Sequence, residues 1–407
     1  MPVVRTDHRG AAPRRRRLAS VGTAVAALSA LPFAAQAATP GRAPLLGRYI
    51  VTLRDATPDS RAVAVAQVGR LGGRLGFVYS YALKGYSATL PVAAIGKLLG
   101  DTRVVAVEPD GIMRADTTQS GATWGIDRTD QRNLPVDGLY HYTATGAGVK
   151  AYIIDTGIRF THTQFGGRAV SGFDAVDGGP ADDCNGHGTH VSGTVGGSTY
   201  GLAKSVALIA VRVLDCGGSG STSGVIAGVD WVTGNHLPGQ PAVANMSLGG
   251  GSNTALDTAV RNSISDGVSY GIAAGNGNVL GMPADACNTS PARVAEAMTI
   301  AASDSSDKAA SFSNYGRCVD WFAPGVDITS SWATSDTATN TISGTSMATP
   351  HTVGVAALYL QGHATASPAA VRQALFDLTT KAKISGTGGG LLGGGGTANN
   401  HLLSSNF

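Results

Sequence analysis

Apolar residues along the second part of the chain follow two alternating patterns, which predict strands and helices in turn. Continuous apolar runs of strand length occupy residues 149–154, 206–213, 243–248, 268–274 and 298–302. Helical spacing begins near His187 and reaches residue 197, and it recurs at 223–233, 254–266, 353–360 and 369–378. Such alternation is typical of a mostly parallel sheet covered by helices on both faces. The sequence therefore predicts an α/β fold here.

A separate small unit is predicted between residues 48 and 107. Strand patterns at 49–53, 77–79, 85–90 and 104–107 are interleaved with helical patterns at 59–71 and 92–99. The order β-α-β-β-α-β is that of a ferredoxin-like α+β domain. We therefore expect a small ferredoxin-like domain followed by the larger α/β domain.

The first 37 residues have the pattern of a secretory signal peptide. Arg14–Arg17 form a basic start, 18–34 are an Ala-rich apolar run, and Ala35-Gln36-Ala37 fits a cleavage site. The run is short for a retained membrane anchor, so we expect cleavage after Ala37 and no stable membrane association. Both the Sec and the twin-arginine export routes remain open. The chain is expected to be secreted, with a Pro/Gly linker at 38–47.

Composition and charge narrow the classes of function. The 407-residue chain has 14% charged residues and 57 glycines, which is typical of a compact, loop-rich enzyme. Its net charge of +3 combines 16 Lys/Arg against 7 Asp/Glu in residues 1–116 (+9) with 14 against 20 in residues 117–407 (−6). The basic part has no aromatic interleaving and no basic motif, so we predict no nucleic-acid partner. We expect the secreted protein to be a monomer.

Three short motifs contain the residue types that nucleophilic catalysis needs. Asp155-Thr156-Gly157 ends a predicted strand, 185–190 opens a predicted helix, and Gly344-Thr345-Ser346-Met347-Ala348 lies where a loop meets an apolar helix. Peptide hydrolysis needs a nucleophile, a base that accepts its proton, and a group that orients the base. Ser346, His187 and Asp155 would serve in these roles. Unpaired N–H groups at the start of a helix would hold an oxyanion.

These motifs resemble those of the subtilisin-like serine proteases, and within them the proteinase K and aqualysin branch. The order Asp, His, Ser along the chain is the order of that family. The resemblance implies a subtilisin-like catalytic domain at 117–407. It also implies that the side chain of Asn276, which follows Ala273-Ala274-Gly275, is the oxyanion-hole donor together with the backbone N–H of Ser346.

By the same resemblance, the substrate would lie between two glycine-rich segments, 217–220 and 247–250. Main-chain pairing with such segments gives affinity without selecting a sequence. No acidic residue is evident for the primary specificity pocket, so we expect broad cleavage with an apolar or aromatic preference. The implied substrate-binding residues are Gly218, Ser219, Gly220, Ser247, Leu248, Gly249, Ala274 and Gly275.

The small front unit resembles the inhibitory propeptides of the same family. Residues 38–116 would then be an autoprocessed propeptide that acts as an intramolecular inhibitor and chaperone. Its tail at 112–116 would lie in the active-site cleft, and the mature chain would begin near Thr117. The opposite net charges of the two parts fit this interpretation. An ordinary accessory domain is the alternative.

The chain has four cysteines, all after residue 116. An even number in a secreted chain predicts two disulfides, and the count alone leaves three pairings open. The resemblance to aqualysin and its relatives implies the pairs Cys184–Cys216 and Cys287–Cys318.

Calcium is the cofactor that the resemblance implies, in a structural role and not in catalysis. One ion would be held by the backbone carbonyls of Ala295 and Ala297 and by Asp320. A second would be held by oxygen ligands from Asp127, Asp130, Gln131 and Asp137, which suit a hard cation. Leu139 stands where an amide ligand is expected at that second site, and a solvated acidic surface is the alternative. His190 follows His187 without an HExxH motif, so we predict that it is a packed structural residue.

Two other functions fit parts of the pattern. An esterase or lipase would use a Gly-x-Ser-x-Gly elbow and the order Ser, acid, His, and this chain has neither. A catalytically silent binding protein with the subtilase fold would be expected to lack a member of the Asp–His–Ser set, and all three are present. The sequence therefore predicts a serine endopeptidase that acts on proteins.

Overall fold

A computed structural model describes residues 46–110, 117–277, 282–387 and 396–405. Contacts within the chain divide it into two compact units, Met1–Met113 and Arg114–Phe407. This division lies close to the boundary expected at residue 116. The predicted signal peptide at 1–37, most of the linker at 38–47 and the predicted tail at 112–116 lie outside the described residues.

The N-terminal unit is a four-stranded antiparallel sheet with two helices. Its elements are β1 (Leu46–Leu53), α1 (Ser60–Arg70), β2 (Arg74–Tyr79), β3 (Gly85–Pro91), α2 (Ile95–Leu99) and β4 (Val104–Pro109). The strand order is β2-β3-β1-β4, which is the ferredoxin-like arrangement. α1 begins after Asp59, whose carboxylate accepts hydrogen bonds from the backbone N–H groups of Arg61 and Ala62. The predicted β-α-β-β-α-β fold is confirmed.

The described part of the C-terminal unit contains thirteen strands and six α-helices. In chain order they are β5 (Thr117–Ser120), α3 (Trp124–Asp130), β6 (Leu139–Tyr142), β7 (Lys150–Asp155), β8 (Ala169–Asp174), α4 (His187–Gly196), β9 (Ala207–Arg212), α5 (Thr222–Asn235), β10 (Ala242–Met246), β11 (Gly250–Gly251), α6 (Thr254–Asp266), β12 (Ser269–Ala273), β13 (Thr289–Ser290), β14 (Met298–Ser303), β15 (Trp321–Pro324), β16 (Ile328–Ser331), β17 (Thr339–Ile342), α7 (Thr345–Gly362) and α8 (Pro368–Leu378).

Seven of these strands form one parallel sheet in the order β15-β14-β12-β10-β7-β9-β8. Side chains along β7 alternate between two buried apolar clusters, because successive residues of a strand point to opposite faces. Ala151 and Ile153 pack in the cluster that contains residues of α4 and α7. Tyr152 and Ile154 pack in the cluster that contains residues of α5 and α6. Helices therefore cover both faces, and the predicted α/β fold is confirmed.

The apolar pattern predicted the interior strands of this sheet and missed its two edges. β7, β9, β10, β12 and β14 each coincide with a predicted strand. The edge strand β8 is partly exposed, so it lacks a continuous apolar run. The opposite edge, β15, has only four residues. Short or half-exposed edge strands carry a weak signal in the sequence.

α7 differs most from its predicted form. The apolar pattern predicted a helix over 353–360, and the helix begins eight residues earlier, at Thr345. Its first turns contain Pro350 and several hydroxyl side chains, which favour a loop when only local sequence is considered. Most of these residues are buried against other elements, so tertiary packing decides the conformation.

Replacing Ile300 by alanine is expected to destabilise the C-terminal unit. Ile300 lies in β14 and is fully buried in the cluster beside α7. Its truncation removes buried methyl groups and leaves a cavity, which typically costs about 2–5 kcal/mol. Urea unfolding in a Ser346→Ala chain, which cannot digest its own unfolded molecules if the predicted activity is correct, measures the change. Val170→Ala on the edge strand β8, at 50% exposure, should stay within about 0.5 kcal/mol. Equal losses in the two variants would contradict the assignment of the core.

Candidate active site

Asp155 is the last residue of β7, an interior strand, and its side chain is fully buried. Its Oδ1 accepts hydrogen bonds from the backbone N–H of Thr156 at 2.7 Å and from His187 Nδ1 at 2.8 Å. Within the described residues, its buried Oδ2 has no hydrogen-bond partner. The carboxylate is thus oriented by one backbone donor towards the imidazole.

His187 is the first residue of α4, and its side chain is about one-quarter exposed. The preceding residue, Gly186, has φ of 114°, and a Cβ built there would lie 2.5 Å from a ring atom of Trp332. Glycine therefore allows both the turn into the helix and the close approach of the tryptophan. Because Nδ1 donates to Asp155, Nε2 is the nitrogen left to exchange a proton with another group.

Asp183 connects the end of β7 to the start of α4, and sequence reasoning missed it. Its two carboxylate oxygens accept five hydrogen bonds of 2.6–2.9 Å, from Thr156 Oγ1, Asn185 N, Gly186 N, Thr189 N and Thr189 Oγ1. Thr156 Oγ1 in turn accepts from the backbone N–H of Gly188 at 2.8 Å. An Asp just before a predicted helix is a capping signal, which would have drawn attention to this residue.

The pKa of His187 reflects opposing effects. Burial by itself lowers the pKa, since it disfavours the charged imidazolium. The charge and hydrogen bond of Asp155 and the charge of Asp183 raise it, and together they outweigh burial. The net result is a pKa above the ordinary histidine value of 6.5.

Ser346 lies in the first turn of α7 and makes a reciprocal contact with Ser247, which follows β10. Ser346 Oγ donates to the backbone carbonyl of Ser247 at 3.1 Å, and Ser247 Oγ donates to the carbonyl of Ser346 at 2.8 Å. In an α-helix the carbonyl of Ser346 would normally accept from the N–H of residue 350. Residue 350 is a proline without an N–H, so this carbonyl is available to Ser247.

Asn276 follows β12 and is fixed by Thr345, a second residue that sequence reasoning missed. Asn276 Oδ1 accepts from the backbone N–H of Thr345 at 2.8 Å and from its Oγ1 at 2.9 Å. A Cβ built on Gly344 would lie 3.4 Å from Asn276 Nδ2 and 3.6 Å from the backbone nitrogen of Ser346. Both nitrogens therefore lie close to the same position beside Gly344.

Two cavities meet at this group of residues and share the wall formed by Leu248 to Gly251. One, of about 510 Å³, is lined by Leu248, Gly249, Gly250, Gly251, Ala273, Gly275, Asn276, Gly277, Thr289, Asn314, Thr345 and Ser346. The other, of about 410 Å³, is lined in part by His187, Gly218, Ser219, Gly220 and Ser247. Seven of the eight residues predicted to bind substrate line one cavity or the other. Ala274 instead lies buried, with its carbonyl accepting from Asn314 Nδ2 at 2.8 Å.

The structure pairs Cys184 with Cys216 and Cys287 with Cys318, as the resemblance implied. The first bridge joins the loop before α4 to the loop that begins the Gly217–Gly220 segment. Asn185 Nδ2 supports the same connection by donating to the carbonyl of Cys216 at 3.0 Å. The loop that carries His187 is therefore tied to one of the two glycine-rich segments.

His190 is buried, and its Nε2 lies 3.0 Å from the carbonyl of Ile328 and 3.2 Å from that of Asn340. Burial lowers its pKa to about 4, so the ring is neutral near neutral pH. These contacts agree with the predicted packed structural residue.

The two predicted calcium positions differ in their surroundings. Gln131 Nε2 donates to Asp127 Oδ1 at 2.6 Å and to Asp137 Oδ1 at 2.8 Å, while the buried Oδ1 of the neighbouring Asp130 has no hydrogen-bond partner within the described residues. Asp320, by contrast, contacts the guanidinium of Arg372. Across the described parts of the chain, no three or more His, Cys, Asp or Glu side chains are arranged as a metal site.

Comparisons with known proteins cover the part of the chain that contains these residues. The protein-family model described as "Subtilase family" matches residues 146–394 of this chain, and this range includes Asp155, His187, Asn276 and Ser346. An extracellular serine proteinase of Thermus sp. (strain Rt41A) is 57% identical over 329 residues, covering 81% of this chain and 78% of that protein. Alkaline serine exoprotease A of Vibrio alginolyticus is 49% identical over 359 residues, covering 84% of this chain and 66% of that protein.

A solved structure of a subtilisin-like proteinase is similar to this chain in fold as well as in sequence. The crystal structure of a cold adapted subtilisin-like serine proteinase matches with a TM-score of 0.65 and 55% sequence identity. The match covers 70% of this chain and 99% of that chain. Together with the family match over more than half of the sequence, this likeness means that the chain belongs to the subtilase family of serine proteases.

Proposed function

We propose that the protein is a secreted endopeptidase that hydrolyses peptide bonds with Ser346 as nucleophile, His187 as base and Asp155 as the group that orients the base. The 2.8 Å contact between Asp155 Oδ1 and His187 Nδ1 carries the proposal, because it leaves Nε2 to take the serine proton. The cavities lined by His187 and by Ser346 share a wall, which supports joint action on one substrate.

The proposed reaction has two halves. Ser346 Oγ attacks the carbonyl carbon of the peptide while His187 Nε2 accepts the hydroxyl proton. The oxyanion accepts hydrogen bonds from Asn276 Nδ2 and the backbone N–H of Ser346, and the imidazolium then protonates the leaving amine. In the second half, water attacks the acyl ester, gives its proton to His187, and Ser346 leaves with that proton. The buried Asp155 stabilises the imidazolium in both halves.

The walls of the two cavities support a broad specificity. No charged side chain is among the described residues that line the 510 Å³ cavity, so it favours an apolar or aromatic side chain. Leu248 to Gly251 line both cavities, and Gly218 to Gly220 line the 410 Å³ cavity. Main-chain pairing of an extended peptide with such segments needs no particular sequence. Protein and peptide substrates are therefore proposed, with main-chain contacts supplying much of the affinity.

The N-terminal unit is proposed to be an inhibitory propeptide, removed by the enzyme itself. Its ferredoxin-like fold has an apolar core of its own, and its boundary lies close to Thr117. We propose that residues 38–116 guide folding and block the active site until cleavage. Export through the signal peptide at 1–37 is part of the same proposal. In the described portion of the chain, no helix is long and apolar enough to cross a membrane.

Subtilases commonly bind structural calcium, and we propose one such ion at Asp127, Asp130, Gln131 and Asp137. The donor set is rich in oxygen, which suits a hard cation. Burial raises the pKa of Asp130 to about 6 and also raises that of Asp127, because it disfavours the charged carboxylates. The unpartnered Asp130 Oδ1 is available as a ligand. A bound ion would supply the missing positive charge there.

Replacing Ser346 by alanine is expected to leave a full-length precursor and to abolish digestion of an unstructured protein such as casein. Removing the nucleophile of such a set lowers kcat by about 10⁶-fold. Secreted wild-type and variant chains are compared by mass spectrometry and by casein hydrolysis. The matched control is Ser343→Ala, which changes an exposed serine three residues away. An active, shortened Ser346→Ala chain would disprove the role of Ser346, and an inert wild type would favour the silent binding protein.

Replacing Asp183 by asparagine is expected to move the acid limb of the pH profile to lower pH. His187 must be neutral to act as a base, so kcat/KM falls as the pH drops through its raised pKa. Removing the nearby negative charge of Asp183 removes one cause of that raised pKa. The pH dependence of kcat/KM for a chromogenic peptide measures the shift. Asp182→Asn, at an exposed neighbour, should leave the limb unchanged. An unshifted limb in a folded Asp183→Asn enzyme would show that this charge does not act on His187.

Replacing Asp130 by asparagine is expected to remove the stabilisation of the protein by calcium. At a calcium concentration ~100-fold above Kd, binding should raise the unfolding midpoint of the parent by roughly 5–10 °C. Thermal unfolding of Ser346→Ala chains in calcium and in EGTA measures this rise. The exposed Asp230→Asn serves as control and should respond like the parent. If calcium raised the unfolding midpoint of the Asp130→Asn variant as much as that of the parent, the ion would have to lie elsewhere.

A further inference from the structure

Asp320 is a buried carboxylate immediately before β15, where this edge strand meets β14. Its backbone N–H donates to the carbonyl of Thr299 at 2.9 Å, and its Oδ2 accepts from the backbone N–H of Thr299 at 2.8 Å. One carboxylate oxygen therefore takes part in the pairing of the two strands. The other oxygen, Oδ1, faces α8.

Arg372 of α8 supplies the positive charge for this carboxylate. Its Nη2 donates to Asp320 Oδ1, and the two side chains are 40% and 10% exposed, respectively. Burial raises the pKa of Asp320, while the charge of Arg372, the N–H of Thr299 and the hydrogen bond from Arg372 oppose that rise. Both oxygens of the carboxylate thus have a donor from the protein.

We propose that the Arg372 guanidinium takes the place of a calcium ion at Asp320, so that this carboxylate binds no calcium while Arg372 is present. The family resemblance implied a calcium ion on Asp320 and the carbonyls of Ala295 and Ala297. The residues of this chain do not fit that ion. Removing Arg372 opens the carboxylate to a divalent cation. This inference does not depend on the proposed catalytic activity.

Two physical reasons exclude calcium from the occupied carboxylate. Calcium would have to lie about 2.3–2.6 Å from Asp320 Oδ1, on the oxygen that the guanidinium already contacts. A divalent ion there would also repel the fixed positive charge of Arg372 a few ångströms away, in surroundings that screen charge less than water does.

The test counts calcium ions bound per chain by equilibrium dialysis, with calcium as the only divalent ion. All chains carry Ser346→Ala so that self-digestion does not occur. Arg372→Ala should bind one more calcium ion than the parent, and adding Asp320→Asn to that variant should remove the extra ion. In EGTA the unfolding midpoint of the Arg372→Ala variant should fall by roughly 5 °C, because the buried carboxylate of Asp320 loses its partner. Calcium should reverse most of that fall.

Two control variants distinguish the loss of positive charge at position 372 from the loss of any arginine. Arg372→Lys retains a positive charge and should bind the same number of ions as the parent. Arg317→Ala removes an exposed arginine and should also match the parent. The proposal is overturned if Asp320→Asn alone lowers the number of bound ions, or if Arg372→Ala binds no additional ion. Loss of the proposed calcium site at Asp130 would appear instead as a lower count in the parent and would leave these differences unchanged.

Discussion

The burial of α7 is the constraint on which the rest of the C-terminal unit depends. This helix is apolar or small on nearly every side, and it packs against the sheet, α4 and α8. Gly354 allows close packing, since a Cβ there would lie 2.9 Å from Leu202 Cβ. A buried helix must still satisfy the polar groups of its first turn. Asn276 and Ser247, at the ends of two neighbouring strands, meet Thr345 and Ser346 for this reason. The demand for buried hydrogen bonds therefore assembles the candidate site.

The other part of the site rests on a carboxylate rather than on a helix. Asp183 accepts donors from both the turn after Asp155 and the first turn of α4, so the separation between Asp155 and His187 is set by a third side chain. The same negative charge acts on the imidazole. Asp183 thus influences both the position of His187 and the charge around its imidazole, and a substitution of Asp183 would alter both. The disulfide next to it, from Cys184, extends the connection to the segment that contains Gly218.

The sequence predicted those elements that are determined by neighbouring residues along the chain. The interior strands and α6, which ends before Gly267, follow from apolar runs and a capping glycine. The motifs around Asp155, His187 and Ser346 identified the candidate site by resemblance. The start of α7 could not be predicted, because Pro350 and the hydroxyl side chains become helical only when the surrounding elements bury them. Thr345 was missed for a related reason, because it contacts Asn276, which is distant in sequence. Asp183 had a local capping signal, but its hydrogen bond with Thr156 could not be read from local sequence.

Asp320 illustrates how a side chain from a neighbouring helix can neutralise a buried carboxylate. A buried carboxylate must be neutralised, and a protein can meet this need with a bound ion or with a side chain. A bound ion stabilises only where the ion is plentiful, because its contribution grows with its concentration. An arginine from α8 gives a contribution that does not depend on the calcium concentration. Its cost is the order imposed on a long side chain, of which 40% remains exposed. We therefore expect the edge of the sheet at Asp320 to depend little on calcium, in contrast to the site proposed near Asp130.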